Sequence, residues 1–400
     1  MTGMYDVIVV GARCAGAPAA MQFARAGYRV LLVDRSAFPA DKLSTLYIQQ
    51  TGVLQLQRWG LLDAVKASGC PALDHVVYEL GDDIRVEGCA EPVDGVTAAY
   101  APRRSILDKI LVEAAVAAGV EFRDDCGVTG LVEEDGRVRG VRLTTGGGGT
   151  ETVERARLVV GADGMRSTVA GLVGAPKTVE HPKLTCAYYT FWKGPRTHFE
   201  LYEGPTGWVS AVPTNDAVLI SAYYPQHRFT EVKARAQEAY LENIRDNAPH
   251  LHAQLEGAEQ VERLYGTGDQ QNFFRQAWGP GWALIGDAGH HKDSLTARGI
   301  SDAFAQAQML VDRVGTTLDS EEALDLALKS FAEERDQTFM ENYQATLLVA
   351  EASARDKRRM LLKAVASDPD HIRRYFNTVA GLRPVSELYT PELLALLTPA

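Results

Sequence analysis

The chain has 400 residues, of which 46% are hydrophobic and 23% charged, values typical of a globular protein and not of a disordered or fibrous one. A formal net charge of -11, without a run of basic residues, argues against nucleic acid as a partner. The five cysteines lack metal-ligand spacing, so we expect neither disulfides nor a metal site. Without a basic leader or a long apolar segment, we expect a cytoplasmic protein with no membrane partner.

The first predicted unit is a strand, a turn, a helix and a second strand. Residues 7–10 are uniformly apolar, Gly11 follows them, and the Ala-rich residues 15–26 predict a helix. Residues 30–33 predict a second buried strand that ends at Asp34. The unit is therefore βαβ, and its two strands should be parallel.

Four later stretches predict the remaining architecture. Residues 104–118 have the 3.6-residue period of a helix, and residues 138–160 predict a hairpin with a glycine-rich turn. Residues 182–261 contain aromatic, alternating segments that predict a mostly antiparallel sheet. The chain beyond residue 301 is predicted to be helical, with an uncapped stretch over residues 321–366, and we interpret the charge-rich residues 355–359 as a solvated helix face.

The turn after the first strand matches the GxGxxG fingerprint of dinucleotide-binding proteins with arginine at the second glycine, and it reads Gly11-Ala12-Arg13-Cys14-Ala15-Gly16. Gly11 permits the tight turn, Gly16 lets helix and strand pack closely, and the helix N-terminus offers N–H groups to a pyrophosphate. Asp34 can accept hydrogen bonds from ribose hydroxyls. The unit predicts dinucleotide binding, but it leaves FAD and NAD as alternatives.

Arg13 stands where glycine normally lets the backbone approach the diphosphate. Either the turn differs slightly, or the guanidinium itself meets the phosphate. We favour the second interpretation because arginine binds phosphate with charge-assisted hydrogen bonds.

Two later motifs also place a carboxylate at the end of an apolar strand. Residues 158–162 lead to Asp163 and Gly164, and residues 282–286 lead to Asp287. Ligands of open α/β sheets lie across the carboxyl ends of the strands. Asp34, Asp163 and Asp287 can therefore face one elongated cofactor, which favours FAD.

With these motifs, the sequence resembles the class A FAD-dependent monooxygenase superfamily, which includes para-hydroxybenzoate hydroxylase and has geranylgeranyl reductases and flavin halogenases as relatives. Many members carry a proline and a GxG turn after the Gly-Asp motif, whereas this chain has residues His290 to Ile300 there. These residues and the Gly-Ala-Arg-Cys-Ala-Gly turn resemble the sequences of a bacterial subgroup of FAD-dependent oxidoreductases. The resemblance covers nearly the whole chain. It implies that Asp287 binds the ribityl chain, Asp163 lies near the pyrophosphate, and the amides of Gly299 and Ile300 face the flavin ring.

The same resemblance implies further contacts with FAD, from Arg104, from Val128 against adenine, and from a mobile loop with Lys42, Ser44 and Thr45. Together with the fingerprint, the complete set of expected FAD-binding residues is Gly11, Arg13, Cys14, Ala15, Gly16, Asp34, Arg35, Lys42, Ser44, Thr45, Arg104, Val128, Asp163, Gly164, Asp287, Gly299 and Ile300.

The resemblance implies an α/β fold in which a Rossmann-like FAD-binding domain is interleaved with a mostly antiparallel substrate domain and followed by a helical C-terminus. We expect the FAD-binding domain in residues 1–75, 101–175 and 271–320, the substrate domain in 76–100 and 176–270, and the helical region in 321–400.

The implied reaction consumes NAD(P)H and O2: the reduced flavin adds O2 at C4a, and one oxygen atom passes to an aromatic or polyketide-like small molecule. Candidate substrate contacts are the aromatic residues of the predicted antiparallel sheet, although such residues also serve plain packing: Tyr188, Tyr189, Trp192, Trp208, Tyr223 and Tyr224. His290 and His291 are candidate bases for a phenol or donors to the flavin edge, or else loop residues hydrogen-bonded to backbone.

Three hypotheses stay open beside the monooxygenase. A flavin-dependent reductase of carbon–carbon double bonds would need no O2. Halogenation is disfavoured because the halogenase signature WxWxIP is matched only loosely by residues 208–213. A flavin-binding protein without turnover is the third. The sequence does not name the substrate, the choice between NADH and NADPH, or the oligomeric state.

Overall fold

The computed structural model describes residues 4–39, 44–146 and 149–397. Its strands, in chain order, are β1 Tyr5–Val10, β2 Val30–Val33, β3 Val76–Leu80, β4 Ile84–Gly88, β5 Glu121–Arg123, β6 Cys126–Glu134, β7 Arg137–Thr145, β8 Thr152–Gly161, β9 Lys177–His181, β10 Thr185–Lys193, β11 Phe199–Glu203, β12 Trp208–Pro213, β13 Val218–Pro225, β14 Glu259–Gln260, β15 Tyr265–Thr267, β16 Asn272–Arg275, β17 Trp278–Gly279, β18 Trp282–Leu284 and β19 His290–His291.

The helices, in chain order, are α1 Gly16–Arg25, α2 Gln50–Arg58, α3 Leu62–Ala67, α4 Arg104–Ala117, α5 Thr168–Leu172, α6 Phe229–Ala234, α7 Ala236–Asn247, α8 Pro249–Gln254, α9 Gly299–Val314, α10 Glu321–Ala350, α11 Arg355–Val365, α12 Pro369–Val379 and α13 Pro391–Leu397. The chain is thus a mixed α/β protein with a helical C-terminal part, as the sequence predicts.

The first sheet has the strand order β17-β18-β8-β1-β2-β5, with β6 and β7 continuing from β8. Strand β1 runs parallel to β2 and to β8, which confirms the predicted βαβ unit. Both faces of β1 are buried: Val7 and Val9 lie in one apolar cluster with α1, and Ile8 and Val10 lie in another. A strand buried on both faces explains the continuous apolar run.

Parallel pairing brings several strand ends to one edge of this sheet. Strands β1, β2 and β8 are mutually in register, and β18 pairs in parallel with β8. The residues that follow these four strands, Gly11, Asp34, Ala162 and Ile285, therefore lie at the same carboxyl edge. The predicted hairpin of residues 138–160 is also present, as the antiparallel pair β7 and β8, but β8 continues past it to join the parallel sheet.

The second sheet has the order β14-β10-β13-β12-β11-β3-β4, with β15 paired to β10. Its pairs are antiparallel as predicted, except for the parallel pair of β11 with β3. One face packs on helices α7 and α8, which the strand pattern of residues 182–261 did not predict. The other face packs against the C-terminal helices. The predicted domain boundaries stay a prediction.

The C-terminal part is helical as predicted, but the stretch over residues 321–366 is capped and consists of α10 and α11. Ser320 caps α10 by accepting a hydrogen bond from the amide of Ala323 at 3.3 Å, and extended backbone at Glu351 ends it before α11 begins. The predicted solvated face was also wrong at Arg358, which is buried and donates to the buried carboxylate of Glu203 at 2.6 Å. This ion pair fastens α11 to the second sheet.

A third sheet has three strands in the order β19-β16-β9. Among the residues that the structure describes, no helix combines the length and the apolar character required to traverse a bilayer.

Candidate functional site

A cleft of about 660 Å³ runs from the carboxyl edge of the first sheet to the inner face of the second. We call its first part, lined by the residues that follow β1, β2, β8 and β18, the cofactor half. We call its second part, lined by Ala187, Tyr189, Ser221, Tyr223 and Gln270, the substrate half.

The cofactor half begins at the turn between β1 and α1, where two glycines are required for different reasons. Gly11 has φ +101°, and a Cβ atom there would lie 2.4 Å from the carbonyl oxygen of Ala162. A Cβ atom at Gly16 would lie 1.7 Å from the carbonyl oxygen of Gly11. Gly16 does not line the cleft; its role is to let α1 begin directly against the turn, which presents the free amides of the helix start to the cleft.

Asp34 fastens this turn to the second strand. Its carboxylate accepts hydrogen bonds from the amide of Ala12 at 3.0 Å and from the amide of Ser36 at 2.8 Å. The side chain is buried and lines the cleft. Since each carboxylate oxygen has a second lone pair, Asp34 can still accept a hydroxyl group of a ligand.

Asp163 uses its carboxylate to hold the turn that follows β8. It accepts hydrogen bonds from the hydroxyl of Ser167 at 2.5 Å and from the amide of Thr168 at 2.6 Å. Burial raises the pKa of Asp163, while these donors act in the opposite direction. Asp163 and Gly164 line the cleft, so the motif fixes the wall of the site there.

Asp287 differs from Asp163 because its carboxylate is exposed in the cleft and takes no hydrogen bond from any described residue. The preceding Gly286 has φ +58°, donates its amide to the Gln306 side chain at 3.0 Å, and lies so close to Ala15 that a Cβ atom would be 2.8 Å from the Ala15 methyl carbon. A glycine is therefore needed to bring Asp287 beside the start of α1.

All the expected FAD-binding residues except Gly16 and Lys42 line the cleft. The residues brought together there are Gly11, Arg13, Cys14, Ala15, Asp34, Arg35, Ser44, Thr45, Arg104, Val128, Asp163, Gly164, Asp287, Gly299 and Ile300. Lys42 lies outside the described residues. The donors and acceptors present fit FAD: helix amides and guanidinium groups suit a diphosphate, and the carboxylates of Asp34 and Asp287 suit ribose and ribityl hydroxyls.

In the substrate half, the period of two along β10 and β13 separates the predicted tyrosines. Tyr189 and Tyr223 line the cleft. Tyr188, Trp192 and Tyr224 point to the opposite face, where they pack against α7 and its neighbours. We therefore no longer place these three side chains at a substrate.

Trp208 lies on the same face as Tyr223, its partner in the strand pairing, but it does not line the cleft. It packs with Tyr223, Leu295 and Ala350 behind the cleft wall. Trp208 therefore supports the wall without reaching the cleft.

A chain of buried polar groups closes the substrate half. The hydroxyl of Tyr223 lies 3.3 Å from that of Ser294, which donates to the Gln270 carbonyl at 2.5 Å. The Gln270 amide donates to Thr185 at 2.7 Å, and Thr185 donates to Asp293 at 2.7 Å. Burial raises the pKa of Asp293. Sequence reasoning missed this network, because its members come from four separate segments.

The two histidines have different surroundings. His290 is fully buried and packs on the rings of Phe274 and Phe339, at centroid distances of 4.3 and 5.5 Å. Burial, with help from Lys292, holds the pKa of His290 well below its ordinary value. It does not line the cleft, so we drop it as a candidate base: the position is a core position.

His291 lines the cleft and faces the carbonyl oxygen of Gln271 through Nδ1. Because a carbonyl only accepts, Nδ1 carries the proton and Nε2 is the basic nitrogen. His291 therefore stays a candidate base.

Lys292 is a second group that sequence reasoning did not single out. It is buried, lines the cleft and forms an ion pair with the buried Asp302 at the start of α9. Burial lowers the pKa of Lys292, and Asp302 opposes that shift. Within the described residues, no group of His, Cys, Asp and Glu side chains is arranged to hold a metal ion.

Three known proteins illustrate what this chain is similar to. It is 28% identical over 312 residues to digeranylgeranylglycerophospholipid reductase of Methanosarcina acetivorans, and the alignment covers 76% of this chain and 73% of the reductase. It is 27% identical over 404 residues to 6-methylpretetramide 4-monooxygenase of Streptomyces rimosus, and the alignment covers 96% of this chain and 95% of the monooxygenase. The structure of the flavin-dependent brominase Bmp2 superposes with a TM-score of 0.83 at 17% identity, over 98% and 97% of the two chains, and shows a shared fold.

The family described as FAD binding domain matches residues 4–346, which include both halves of the cleft. This match agrees with the donors and acceptors that line the cofactor half. The chain belongs to the FAD-binding domain family of class A monooxygenase-like flavoproteins and is an FAD-dependent oxidoreductase.

Proposed function

We propose that the protein is an NAD(P)H-consuming monooxygenase that inserts one oxygen atom of O2 into an aromatic or polyketide-like small molecule. The observation that carries the proposal is the character of the substrate half. Aromatic faces of Tyr189 and Tyr223 stand there beside the hydroxyl of Ser221 and the amide of Gln270. This mixture suits a compact aromatic molecule with polar substituents, because ligand sites combine apolar walls with a few placed polar groups.

The similarity to 6-methylpretetramide 4-monooxygenase supports the proposal, since it extends over nearly the full length of both chains. The digeranylgeranylglycerophospholipid reductase covers less of this chain. A long isoprenoid would require an extended apolar channel, whereas the described substrate half ends at the polar chain of Ser294, Gln270 and Asp293.

In this reaction, residues of the substrate half bind the substrate, orient it and remove a proton from it. Tyr223, held by Ser294, orients a polar substituent of the substrate, and the second sheet excludes bulk water. Nε2 of His291 accepts a proton from a phenol, while Nδ1 remains fixed on the Gln271 carbonyl. Bound FAD supplies electron transfer from the nicotinamide and activation of O2.

The test incubates the purified holoenzyme with NADPH or NADH, a panel of phenols and aromatic polyketides, and 18O-labelled O2. The proposal expects a product with one labelled oxygen atom, formed only when O2 is present. A product that gains two hydrogens under strict anaerobiosis would instead establish a reductase, and a halogenated product in bromide or chloride would establish a halogenase. A flavin that no nicotinamide reduces with any substrate present would exclude turnover.

A further inference from the structure

Asp108 lies on the first turns of α4, directly behind the cofactor half, and its side chain is completely buried. It does not line the cleft. Three side chains that do line the cleft, Arg13, Cys14 and Arg104, all contact its carboxylate. No motif in the sequence singled Asp108 out, although its place four residues after Arg104 on a helix is the spacing of an ion pair.

The contacts of Asp108 fix the plane of the Arg104 guanidinium and anchor the Arg13 guanidinium at one nitrogen. Arg104 donates Nε to Oδ1 at 3.1 Å and Nη2 to Oδ1 and Oδ2 at 3.0 and 3.1 Å. Arg13 donates Nη1 to Oδ2 at 2.7 Å. A bidentate arginine pair is geometrically specific, because the planar fork permits one orientation. Asp108 therefore holds both arginines from behind.

Arg104, which lines the cleft, also has a donor that Asp108 does not use. Nη1 of Arg104 makes no hydrogen bond with the described residues, and an arginine has five N–H donors in total. Two cations on one carboxylate leave a net positive charge next to the amides at the start of α1. Burial raises the pKa of the Cys14 thiol to about 12, so Cys14 stays a neutral S–H donor to Asp108 and adds no negative charge.

We propose that Asp108 is a positioning residue that aims Arg13 and Arg104 at the diphosphate of FAD. The carboxylate does not touch the cofactor; it acts through the two guanidinium groups. The assignment holds for whichever reaction the flavin performs, because it concerns only how the cofactor is bound.

The direction in which Asp108→Asn changes the affinity for FAD distinguishes a positioning role of Asp108 from an effect of its charge alone. Asp108 is an anion beside a site for an anion, so charge alone predicts that Asp108→Asn strengthens FAD binding. Positioning predicts the opposite, because an asparagine retains one acceptor oxygen and presents an N–H group to a guanidinium. We expect Asp108→Asn to raise the FAD dissociation constant at least about tenfold, the effect of a lost charged hydrogen-bond network.

Glu203→Gln is the matched control, because Glu203 and Arg358 form an equally buried carboxylate–arginine pair with N···O 2.6 Å, away from the cleft. It should lower thermal stability as Asp108→Asn does, but leave the FAD dissociation constant unchanged. ADP binding to the apoprotein should weaken in Asp108→Asn by the same factor as FAD binding, since ADP carries the same diphosphate. Unchanged or tighter binding of FAD or ADP in folded Asp108→Asn overturns the proposal.

A second pair of variants answers the question even where Asp108→Asn does not fold. Arg13→Gln removes one cation, so the additional change Asp108→Asn leaves the cluster with the same net positive charge that Arg13, Arg104 and Asp108 have together in the unmodified protein. Charge alone predicts that Arg13→Gln/Asp108→Asn binds FAD more tightly than Arg13→Gln, because a carboxylate is removed. Positioning of Arg104 predicts weaker binding, and a tighter double variant contradicts it.

Discussion

The two halves of the cleft are built in different ways. The cofactor half is assembled from short loops that each follow a strand of the parallel sheet, so that four local motifs meet at one edge. The substrate half is assembled from alternate positions along β10 and β13 together with residues of distant loops. A site made by strand ends is therefore visible in the sequence, whereas a site made by one face of a sheet depends on which face turns inward.

The largest expected effect concerns the turn that makes the cofactor half. Gly16→Ala places a Cβ atom 1.7 Å from the Gly11 carbonyl oxygen, so the turn and α1 must separate. We expect a loss of about 3 kcal/mol or more in the free energy of unfolding, as for severe overpacking, and a protein without bound FAD. Gly171→Ala is the control, because its Cβ atom meets nothing within 4 Å. A yellow Gly16→Ala protein of normal stability would show that the turn is not built as described.

The next effect sharpens the difference between the carboxylates of the cofactor half. Asp287 is exposed in the cleft without a described hydrogen-bond donor, so we expect Asp287→Ala to raise the FAD dissociation constant about tenfold with little change in the stability of the apoprotein. Asp319→Ala, which alters an exposed ion pair with Arg157, serves as the control. Equal FAD affinities for the two variants, measured by fluorescence titration, would remove Asp287 from the cofactor site.

Two neighbouring tyrosines test the substrate half. Tyr223→Phe removes the hydroxyl that faces Ser294 in the cleft, and we expect kcat/KM for the substrate to fall about tenfold. Tyr224→Phe removes a hydroxyl that donates to the Ala239 carbonyl at 2.7 Å on the opposite face. It should cost about 1 kcal/mol of stability and leave kcat/KM unchanged. The reverse result, with turnover sensitive only to Tyr224, would place the substrate on the other face of the sheet.

The last prediction is a pH dependence of stability that comes from His290. Its pKa is held well below the ordinary value in the folded chain, so the unfolded chain binds the proton more readily. Stability from this residue is present above the ordinary pKa of about 6.5 and is lost as the pH falls below it, by up to about 1.4 kcal/mol per pH unit. His290→Phe, which preserves an aromatic ring against Phe274, should reduce the loss between about pH 7 and pH 5.

The measurement for His290 is the free energy of unfolding from denaturant titrations at several pH values. His291→Phe is the control, since His291 is only half buried and lines the cleft. An acid-side loss that is identical in His290→Phe and in the unmodified protein would show that His290 is not held neutral by burial.

Much of the fold and of the cofactor half could be predicted, because the signals are local. The run of apolar residues before Gly11, the strand after Gly27 and the strand before Asp163 each specify their own conformation. The parallel arrangement then brings the strand ends together without further information. The FAD-binding domain family matches the same region of the chain.

The rest depends on tertiary contacts that leave no local pattern. Nothing in the alternation along β13 tells whether Tyr223 or Tyr224 faces the cleft, because both faces of the second sheet are buried. His290 follows the Gly286–Asp287 motif closely in sequence, yet its side chain packs in an aromatic cluster away from the cleft. Arg358 lies in a charge-rich stretch, and its burial follows from Glu203, which is 155 residues away.

A crystal structure of the protein with FAD bound would show whether one continuous cleft joins the cofactor half and the substrate half. We predict that the diphosphate lies against Arg13, Arg104 and the start of α1, and that the flavin ring lies where the halves meet, between Ile300 and Tyr223. A flavin ring remote from Tyr223, or a diphosphate away from both arginines, would show that the two halves do not form one site.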